Sequence, residues 1–280
     1  MGAQIAVANQ YQHQYESKLL QGKVALVYGA TGAVGSTIAR AFAHEGAQVF
    51  LSGRRPSEVD SIAKKISSSG GIAEAAEVDA LDEESVEKYV QRIFEKTGQI
   101  DISFNAIGIP QEDMQGILLT DLPVESFTLP IVTYAKSHFI TSRAAARRMV
   151  KKGSGVILMH TPEPAALGVP HMGGMSPAWA AMEALSRDFS AELATQGIRA
   201  ICLRTTGLPE TKTIEVVYDN HAKAMGITRN EFQGLMENMS HTRRSTTLAE
   251  LANAAVFAAS DLSSGMTGAI INLTGGKIVD

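Results

Sequence analysis

The stretch Gly29-Ala-Thr-Gly32-Ala-Val-Gly35 decides the fold, because it joins two segments of different periodicity. The apolar run from Val24 to Tyr28 precedes it and predicts a buried strand, and apolar residues at helical spacing follow it. A strand, a glycine turn and a helix in this order are typical of sites that bind the pyrophosphate of a dinucleotide at the helix N-terminus. Alternatively, the glycines only permit a sharp corner. The predicted cofactor contacts in this stretch are Gly29, Thr31, Gly32, Val34 and Gly35.

Along the rest of the chain, short apolar or β-branched runs alternate with longer stretches of helical spacing. This alternation is typical of a parallel sheet covered by helices on both faces, so we predict an α/β fold with a doubly wound, seven-stranded parallel sheet. The predicted strands are Val24 to Tyr28, Gln48 to Leu51, Ile72 to Val78, Ile100 to Phe104, Val156 to Met159, Arg199 to Leu203 and Ala269 to Leu273.

No repeat or linker divides the chain, so we predict one dinucleotide-binding domain over residues 21–280, preceded by a polar arm over residues 1–20. The segment at about 206–245 interrupts the alternation. Within it, Thr228-Arg-Asn-Glu231 has the spacing of a capping box ahead of Phe232, which predicts a helical insertion. This insertion is either an adaptable lid over an apolar ligand or a helix that buries its own apolar stripe.

Charge and composition limit the possible partners. The net charge is -4, and the basic residues are scattered, so the sequence predicts neither a nucleic-acid partner nor an anionic membrane. No apolar run approaches the length of about 18 residues that a membrane span requires. The single cysteine, Cys202, stands in an apolar run, excludes an internal disulfide and favours a reducing, cytoplasmic location. We therefore expect a small-molecule substrate or ligand.

The end of the second predicted strand indicates which dinucleotide is bound. It reads Ser52-Gly-Arg54-Arg55, so Gly53 stands where a site for NAD(H) would place a carboxylate toward the ribose hydroxyls. Two guanidinium groups can instead grip a 2′-phosphate through charge-assisted hydrogen bonds. The sequence therefore favours NADP(H) over NAD(H), with contacts from Arg54 and Arg55, unless the two arginines are only a solvated surface pair.

Further motifs occur in order after the glycine turn: Asp79-Ala-Leu-Asp82, Asn105-Ala-Ile-Gly108 and Gly275-Gly276. Together they resemble the short-chain dehydrogenase/reductase family over nearly the whole chain from about Leu20. The resemblance implies a Rossmann-type fold and hydride transfer with a nicotinamide dinucleotide. It implies association through the helices at 132–149 and 177–194, and hence a homodimer or homotetramer. The cofactor contacts that it adds are Asp79, Ala80, Asn105, Ala106 and Ile107.

The family's catalytic tetrad of Asn, Ser, Tyr and Lys has no counterpart at the matching positions of this chain. Aligned on the helix that contains Glu183, the serine position holds Pro162, the tyrosine position Met175 and the lysine position Trp179. The asparagine position holds Tyr134. A shifted alignment does not restore the pair, because no lysine lies between residues 152 and 212 and no tyrosine between 134 and 218. Loss of a positioned proton donor slows such chemistry by about 10²- to 10⁴-fold.

Two residues are candidates to replace the missing donor. Tyr134 carries a phenol at a position that faces the reaction centre in the family, and His138, four residues on, can share its helix face. His160 precedes Pro162 by two residues, so strand alternation can point it toward the substrate. For both candidates the alternative is a purely structural role, with the polar atoms satisfied by neighbours. No cluster of Cys, His, Asp or Glu predicts a metal site.

Two hypotheses for the function follow. The first is an NADP(H)-dependent oxidoreductase with an atypical active site, whose substrate is better an activated alkene or an iminium than a plain ketone. The second is a catalytically silent dinucleotide-binding protein that acts as a sensor, scaffold or assembly partner. The missing tetrad favours the second hypothesis, whereas the retained pocket motifs and the helical insertion, which has the size of a substrate lid, favour the first.

Overall fold

Seven parallel strands form the centre of the structure, a computed structural model that describes residues 18–279. Their spatial order is β3-β2-β1-β4-β5-β6-β7, and each strand is parallel to its neighbours. The strands are β1 (Val24–Tyr28), β2 (Gln48–Gly53), β3 (Ile72–Glu77), β4 (Ile102–Asn105), β5 (Gly155–Pro162), β6 (Ile198–Thr205) and β7 (Ile270–Leu273). The predicted doubly wound α/β sheet is confirmed.

The strands differ from the predicted ones mainly at their ends. β4 begins at Ile102, two residues later than predicted. Just before it, the buried Asp101 carboxylate accepts a hydrogen bond from the Val24 amide at 2.7 Å and another from Lys152 Nζ at 2.6 Å, so a side chain satisfies the first amide of β1. β5 and β6 run on to Pro162 and Thr205, because these two strands pair with each other along their whole length.

Helices cover both faces of the sheet and separate the core into two layers. The helices are α1 (Ala33–His44), α2 (Pro56–Ser68), α3 (Glu83–Thr97), α4 (Val124–Lys152), α5 (Met175–Leu193), α6 (Lys212–Met225), α7 (Arg229–Asn238) and α8 (Leu248–Ala259). Helices α3, α4 and α5 pack on one face of the sheet, where Tyr89, Ile140 and Met182 are buried. Helices α1, α2 and α8 pack on the other face, where Phe42, Val59 and Leu251 are buried.

The segment 206–245 contains α6 and α7, which build a small core of their own. The rings of Tyr218 and Phe232 lie 5.2 Å apart, edge to face, within this core. The predicted capping box at the start of α7 is present, because Thr228 Oγ1 accepts from the Glu231 amide and Glu231 Oε2 accepts from the Thr228 amide.

Two threonines hold the ends of this segment together at the sheet. The Thr246 amide donates to Thr206 Oγ1 at 2.7 Å, and the Thr206 amide donates to Thr246 Oγ1 at 3.3 Å. Thr246 Oγ1 in turn donates to the Leu273 carbonyl at the end of β7, at 2.5 Å. The segment therefore leaves the sheet and returns to it at nearly the same point.

The predicted polar arm lies mostly outside the described residues. In its described part, Leu20 is fully buried, and its amide donates to the Glu45 carbonyl at 2.9 Å, so it belongs to the core beside α1. Between residues 18 and 279, no helix has both the length and the apolar character needed to cross a bilayer.

Gly35 and Gly234 both lie inside helices, but their surroundings predict opposite effects for an added methyl group. A Cβ at Gly35 would lie 2.5 Å from the Gly29 carbonyl oxygen, whereas a Cβ at Gly234 would have no heavy atom within 4 Å. We expect Gly35→Ala to lower the free energy of unfolding by about 1–3 kcal/mol through overpacking. Gly234→Ala should raise it by about 1 kcal/mol through helix propensity. Urea denaturation measures both, and a stabilised Gly35→Ala variant would show that the tight turn tolerates a side chain.

Candidate active site

A cavity of about 1040 Å³ opens at the carboxyl ends of the strands. Residues at the ends of β1, β2, β4, β5 and β6 line it, so it spans the point between β1 and β4 where the strand order reverses, the usual ligand site of such sheets. Gly35 alone among the predicted contacts is outside the lining. The predicted residues that line it are Gly29, Thr31, Gly32, Val34, Arg54, Arg55, Asp79, Ala80, Asn105, Ala106, Ile107, Tyr134, His160, Pro162, Met175 and Trp179.

The glycine turn fits a pyrophosphate. Gly29 has a φ of +66° and lies against the end of β4, where a Cβ would be 2.5 Å from the Ala106 carbonyl oxygen. Gly32 is the N-cap of α1 and provides no side-chain cap, so the first amides of this helix are left for a ligand. Because Gly32 and Val34 line the cavity at that point, an anion can approach the positive end of the helix dipole. Gly35 instead lets α1 pack against the turn.

The two arginines lie at the rim of the cavity, exposed to solvent. Arg55 Nη2 donates to Thr31 Oγ1 at 3.3 Å and lies 3.1 Å from a carboxylate oxygen of Glu58. The Arg54 guanidinium makes no hydrogen bond or ion pair with other residues in the range 18–279. Arg54 is thus the guanidinium available to a phosphate, whereas Arg55 already has partners.

Asp79 and Asn105 serve the local structure as well as the cavity. Asp79 Oδ1 accepts from the Leu81 amide at 3.0 Å, which fixes the turn after β3. Asn105 is buried; its Nδ2 donates to Thr141 Oγ1 at 3.1 Å, and its Oδ1 accepts from the Ile107 amide at 3.0 Å. Asn105 therefore joins the end of β4 to α4 and holds the loop that forms the cavity floor.

Pro162, Met175 and Trp179, the residues that the sequence alignment predicts at the serine, tyrosine and lysine positions, have largely apolar side chains. Pro162 ends β5, and Met175 and Trp179 lie one turn apart at the start of α5. Met175 is 1% exposed and Trp179 8% exposed, and all three residues line the cavity. Of these side chains only the Trp179 indole carries a proton on nitrogen, and an indole donates a hydrogen bond without acting as an acid.

Tyr134 and His138 lie one helical turn apart on α4 and both line the cavity, with ring centroids separated by 6.2 Å. Burial raises the pKa of Tyr134 to about 12, opposed by a hydrogen bond from the Ile109 backbone. His138 Nδ1 donates to the Tyr134 carbonyl at 2.9 Å, and burial lowers the pKa of His138 to about 4. At neutral pH Tyr134 is therefore a phenol and His138 a neutral imidazole. The proton on Nδ1 is assigned from that hydrogen bond.

His160 is half-buried at the cavity wall, near the end of β5. Its Nε2 is 2.9 Å from Thr205 Oγ1, at the end of the neighbouring strand. Burial and, to a smaller extent, the nearby His138 together lower the pKa of His160 to about 4, so His160 is also neutral. Tyr134, His138 and His160 thus form a cluster that is uncharged at neutral pH.

The cavity lining also contains polar residues that were not among the predicted ones, and Glu163, Gln115 and His221 are three of them. Glu163 follows Pro162 and is 6% exposed. Gln115 comes from the loop before α4, and His221 from α6, and His221 Nε2 lies 3.1 Å from Gln115 Oε1. Glu163 directly follows Pro162, a predicted site position, so the sequence alignment could have indicated it. The contact between Gln115 and His221 joins segments far apart in the chain, so no local sequence pattern indicates it.

The glycine turn, the cavity at the reversal of strand order and the polar cluster beside it define a dinucleotide-binding α/β protein. The chain belongs to the short-chain dehydrogenase/reductase family: residues 29–277 match the family model described as enoyl-(acyl carrier protein) reductase. The expected resemblance is thereby confirmed at the level of the family.

Individual relatives and structures agree with this assignment. The chain is 28% identical over 257 residues to the uncharacterized oxidoreductase YxbG of Bacillus subtilis, covering 92% of this chain and 91% of that one. It is 30% identical over 269 residues to the (+)-cis,trans-nepetalactol synthase NEPS1 of Nepeta racemosa, covering 95% and 94%. The crystal structure of sorbitol-6-phosphate 2-dehydrogenase SrlD from Erwinia amylovora matches with a TM-score of 0.85 at 25% identity, covering 91% of this chain and all of that chain.

The neutral state of His138 predicts how stability depends on pH. Its pKa is about 4 in the folded protein and 6.5 in its ordinary state, so between these values the unfolded chain binds more protons and stability falls as the pH falls. We expect His138→Gln to reduce the slope of the free energy of unfolding against pH by about 1.4 kcal/mol per pH unit between pH 4 and 6.5. Urea denaturation from pH 7 downward measures it, with His44→Gln as control, since the His44 side chain is 84% exposed. An unchanged slope in His138→Gln would show that His138 accepts a proton in the folded state.

Proposed function

We propose that this protein is an NADP(H)-dependent oxidoreductase that reduces an alkene activated by conjugation to a carbonyl group. The observation that carries the proposal is the composition of the cavity: the proposed dinucleotide contacts at one end and, at the other, the buried phenol of Tyr134, with no lysine among the residues between 18 and 279 that line the cavity. Apolar side chains from Met172, Met175 and Met182 surround that end, which suits a largely apolar substrate.

The state of Tyr134 favours this reaction over reduction of a plain ketone. When bound, the reduced cofactor supplies hydride. A ketone would then need full proton transfer to an alkoxide, and a phenol whose pKa is raised to about 12 is a weak acid for that purpose. Hydride addition to the β-carbon of a conjugated alkene moves the alkene electron pair toward the carbonyl and leaves an enolate, whose oxygen is a weaker base than that of an alkoxide. Tyr134 acts in this step by donating a hydrogen bond to the carbonyl oxygen, and a proton from solvent then adds at the α-carbon to complete the reduction.

The relatives support an enzyme rather than a silent dinucleotide-binding protein. The family model is described as a reductase, and the name of the Bacillus subtilis relative is that of an oxidoreductase. The name of the Nepeta racemosa relative is that of a synthase. The reductase description is the one that agrees with an alkene substrate.

The preference for NADP(H) is proposed from Arg54. Its guanidinium is exposed at the cavity rim, and Gly53 beside it has no carboxylate that would repel a 2′-phosphate. A Cβ at Gly53 would lie 3.2 Å from a methyl group of Val59, so the position is also tight for an acidic side chain.

We further propose that the protein associates as a homodimer or homotetramer through α4. Five large apolar side chains of this helix are exposed in the single chain, and the Arg143 guanidinium covers the ring of Phe139, at 4.8 Å. The exposed apolar residues are Val124, Leu129, Val132, Phe139 and Val150. A second copy of the chain would bury this surface.

The role of Arg54 predicts a change in cofactor preference. Arg54→Ala should weaken NADPH binding by about tenfold or more, because a charge-assisted contact to the 2′-phosphate is lost, and should leave NADH binding unchanged. Arg40→Ala, which removes an exposed arginine outside the cavity, is the matched control. Calorimetric titration measures the affinities. If wild-type protein binds NADH as tightly as NADPH, the proposed preference is wrong.

The proposed reaction predicts turnover and its dependence on Tyr134. NADPH absorbance should fall with conjugated enones and enals, and far more slowly with saturated ketones of the same skeleton; imines complete the panel. Tyr134→Phe should depress turnover by at least tenfold with NADPH binding intact, because the hydrogen-bond donor is lost. Tyr89→Phe, at a buried tyrosine outside the cavity, should leave the rate unchanged.

The outcomes of this assay separate the candidates. An unchanged rate in Tyr134→Phe, with a lowered rate in His160→Gln, would transfer the role to His160. Absence of turnover across the panel, with tight NADPH binding retained, would overturn the oxidoreductase proposal in favour of a protein that binds the dinucleotide without chemistry.

A further inference from the structure

A buried ion pair forms part of the cavity wall next to the position of the family's serine. Glu163 begins a single 3₁₀ turn, Glu163–Ala165, directly after β5, and its side chain is 8% exposed. Lys277, from the turn after β7, is 3% exposed and donates from Nζ to Glu163 Oε1. The pair joins two strand ends across the substrate side of the cavity.

Lys277 is held in place on the far side of this carboxylate. The turn that carries it is closed by Asn272 Nδ2, which donates to the Ile278 carbonyl at 2.8 Å, and by the Lys277 amide, which donates to the Thr274 carbonyl at 3.1 Å. Its Nζ also lies 3.9 Å from Met236 Sδ. Glu163 lines the cavity and Lys277 does not, so the carboxylate stands between the ammonium group and any ligand.

The second oxygen of this carboxylate is available. Glu163 Oε2 is buried and has no hydrogen-bond partner among residues 18–279. A buried acceptor that carries charge and lacks a partner is destabilising, and a donor supplied by a ligand would remove that cost.

Three other polar side chains of the lining form a chain of hydrogen bonds. Gln111 Nε2 donates to the Ile109 carbonyl at 2.7 Å, and Gln115 Nε2 donates to Gln111 Oε1 at 2.5 Å. The Gln115 amide oxygen lies 3.1 Å from His221 Nε2, which completes the chain. Glu163 Oε2, in contrast to these atoms, is left for a ligand donor to satisfy.

Charge balance selects the kind of donor. Lys277 already neutralises Glu163, so a cationic ligand group would leave a net positive charge in a buried site, at a large desolvation cost. A neutral hydroxyl group donates one hydrogen bond to Oε2 and adds no charge. The surrounding walls, which include Met172, Trp179 and Met236, are apolar and suit the rest of such a molecule.

We propose that Glu163 Oε2 accepts a hydrogen bond from a hydroxyl group on an otherwise apolar substrate, and that Lys277 positions this carboxylate. The inference rests on the proposed function in taking the occupant of this part of the cavity to be the substrate. Glu163 is then a specificity-determining residue that fixes the orientation of the substrate relative to Tyr134.

Binding can be tested without turnover, because Trp179 is the single tryptophan of the chain and lines the cavity. Its fluorescence would be followed while protein saturated with the better-binding oxidised dinucleotide is titrated with straight-chain 3-en-2-ones of increasing length and with their ω-hydroxy counterparts. We expect the hydroxyl group to tighten binding by about tenfold at the length that reaches Glu163. Equal affinities for parent and hydroxylated ligands at every length would overturn the inference.

Variants distinguish a specific hydrogen bond to the Glu163 carboxylate from the general effect of removing a buried ion pair. Glu163→Met combined with Lys277→Met replaces the pair by apolar side chains, which a buried site tolerates better than a lone charge, and should abolish the hydroxyl advantage. The double change Glu183→Met and Arg204→Met is the control, since that buried pair lies outside the cavity and its loss should leave the advantage intact. If the first double variant does not fold, Glu163→Gln should still reduce the advantage by about threefold or more.

Failure of this inference and failure of the proposed function give different results. A hydroxyl advantage in binding without NADPH oxidation would retain the Glu163 site and remove the reductase. Turnover of the parent enones without a hydroxyl advantage would retain the reductase and remove the Glu163 site. Persistence of the advantage in the Glu163 and Lys277 double variant would assign the hydroxyl contact to another group and contradict the inference.

Discussion

The close approach of two backbones at the centre of the sheet determines the candidate site. Gly29, at the end of β1, lies so near Ala106, at the end of β4, that the two segments touch without any side chain between them. This contact brings α1 to its starting position with its first amides directed at the cavity, and it sets the cavity floor. A larger residue at Gly29 would push apart the ends of β1 and β4, where the strand order reverses. The start of α1 would then move away from the cavity.

The reaction end of the cavity is arranged around neutral groups. Tyr134, His138 and His160 are all uncharged at neutral pH, because burial penalises their ionised forms. In the arrangement expected from the family, a lysine lowers the pKa of a tyrosine, and the sequence alignment predicts Trp179 at that lysine position. Under the proposed function, neutral groups of this kind would stabilise developing charge through fixed dipoles and hydrogen bonds.

Local sequence patterns were sufficient to predict the fold, and the residues that they predict as dinucleotide contacts, apart from Gly35, line one cavity in the structure. The glycine turn, the Arg54 region and the Asn105 region each follow a strand, and parallel strands bring their carboxyl ends to one edge. The spacing of Tyr134 and His138 likewise predicted a shared helix face, which their ring separation of 6.2 Å confirms.

The substrate end could not be predicted in the same way, because its contacts join distant segments. Glu163 and Lys277 are 114 residues apart, and nothing near Lys277 in the sequence indicates an acidic partner. The chain of Gln111, Gln115 and His221 depends on how a loop before α4 packs against α6, which no local pattern specifies.

The paired threonines at the base of segment 206–245 have a consequence for how the protein can evolve. Thr206 and Thr246 close the segment where it leaves the sheet, so β6 and α8 keep their positions whatever lies between the two residues. The intervening chain has its own small core around Tyr218 and Phe232. It is therefore a module, and exchanging it for a segment of different length or sequence would reshape the substrate end while the register of the sheet stays fixed.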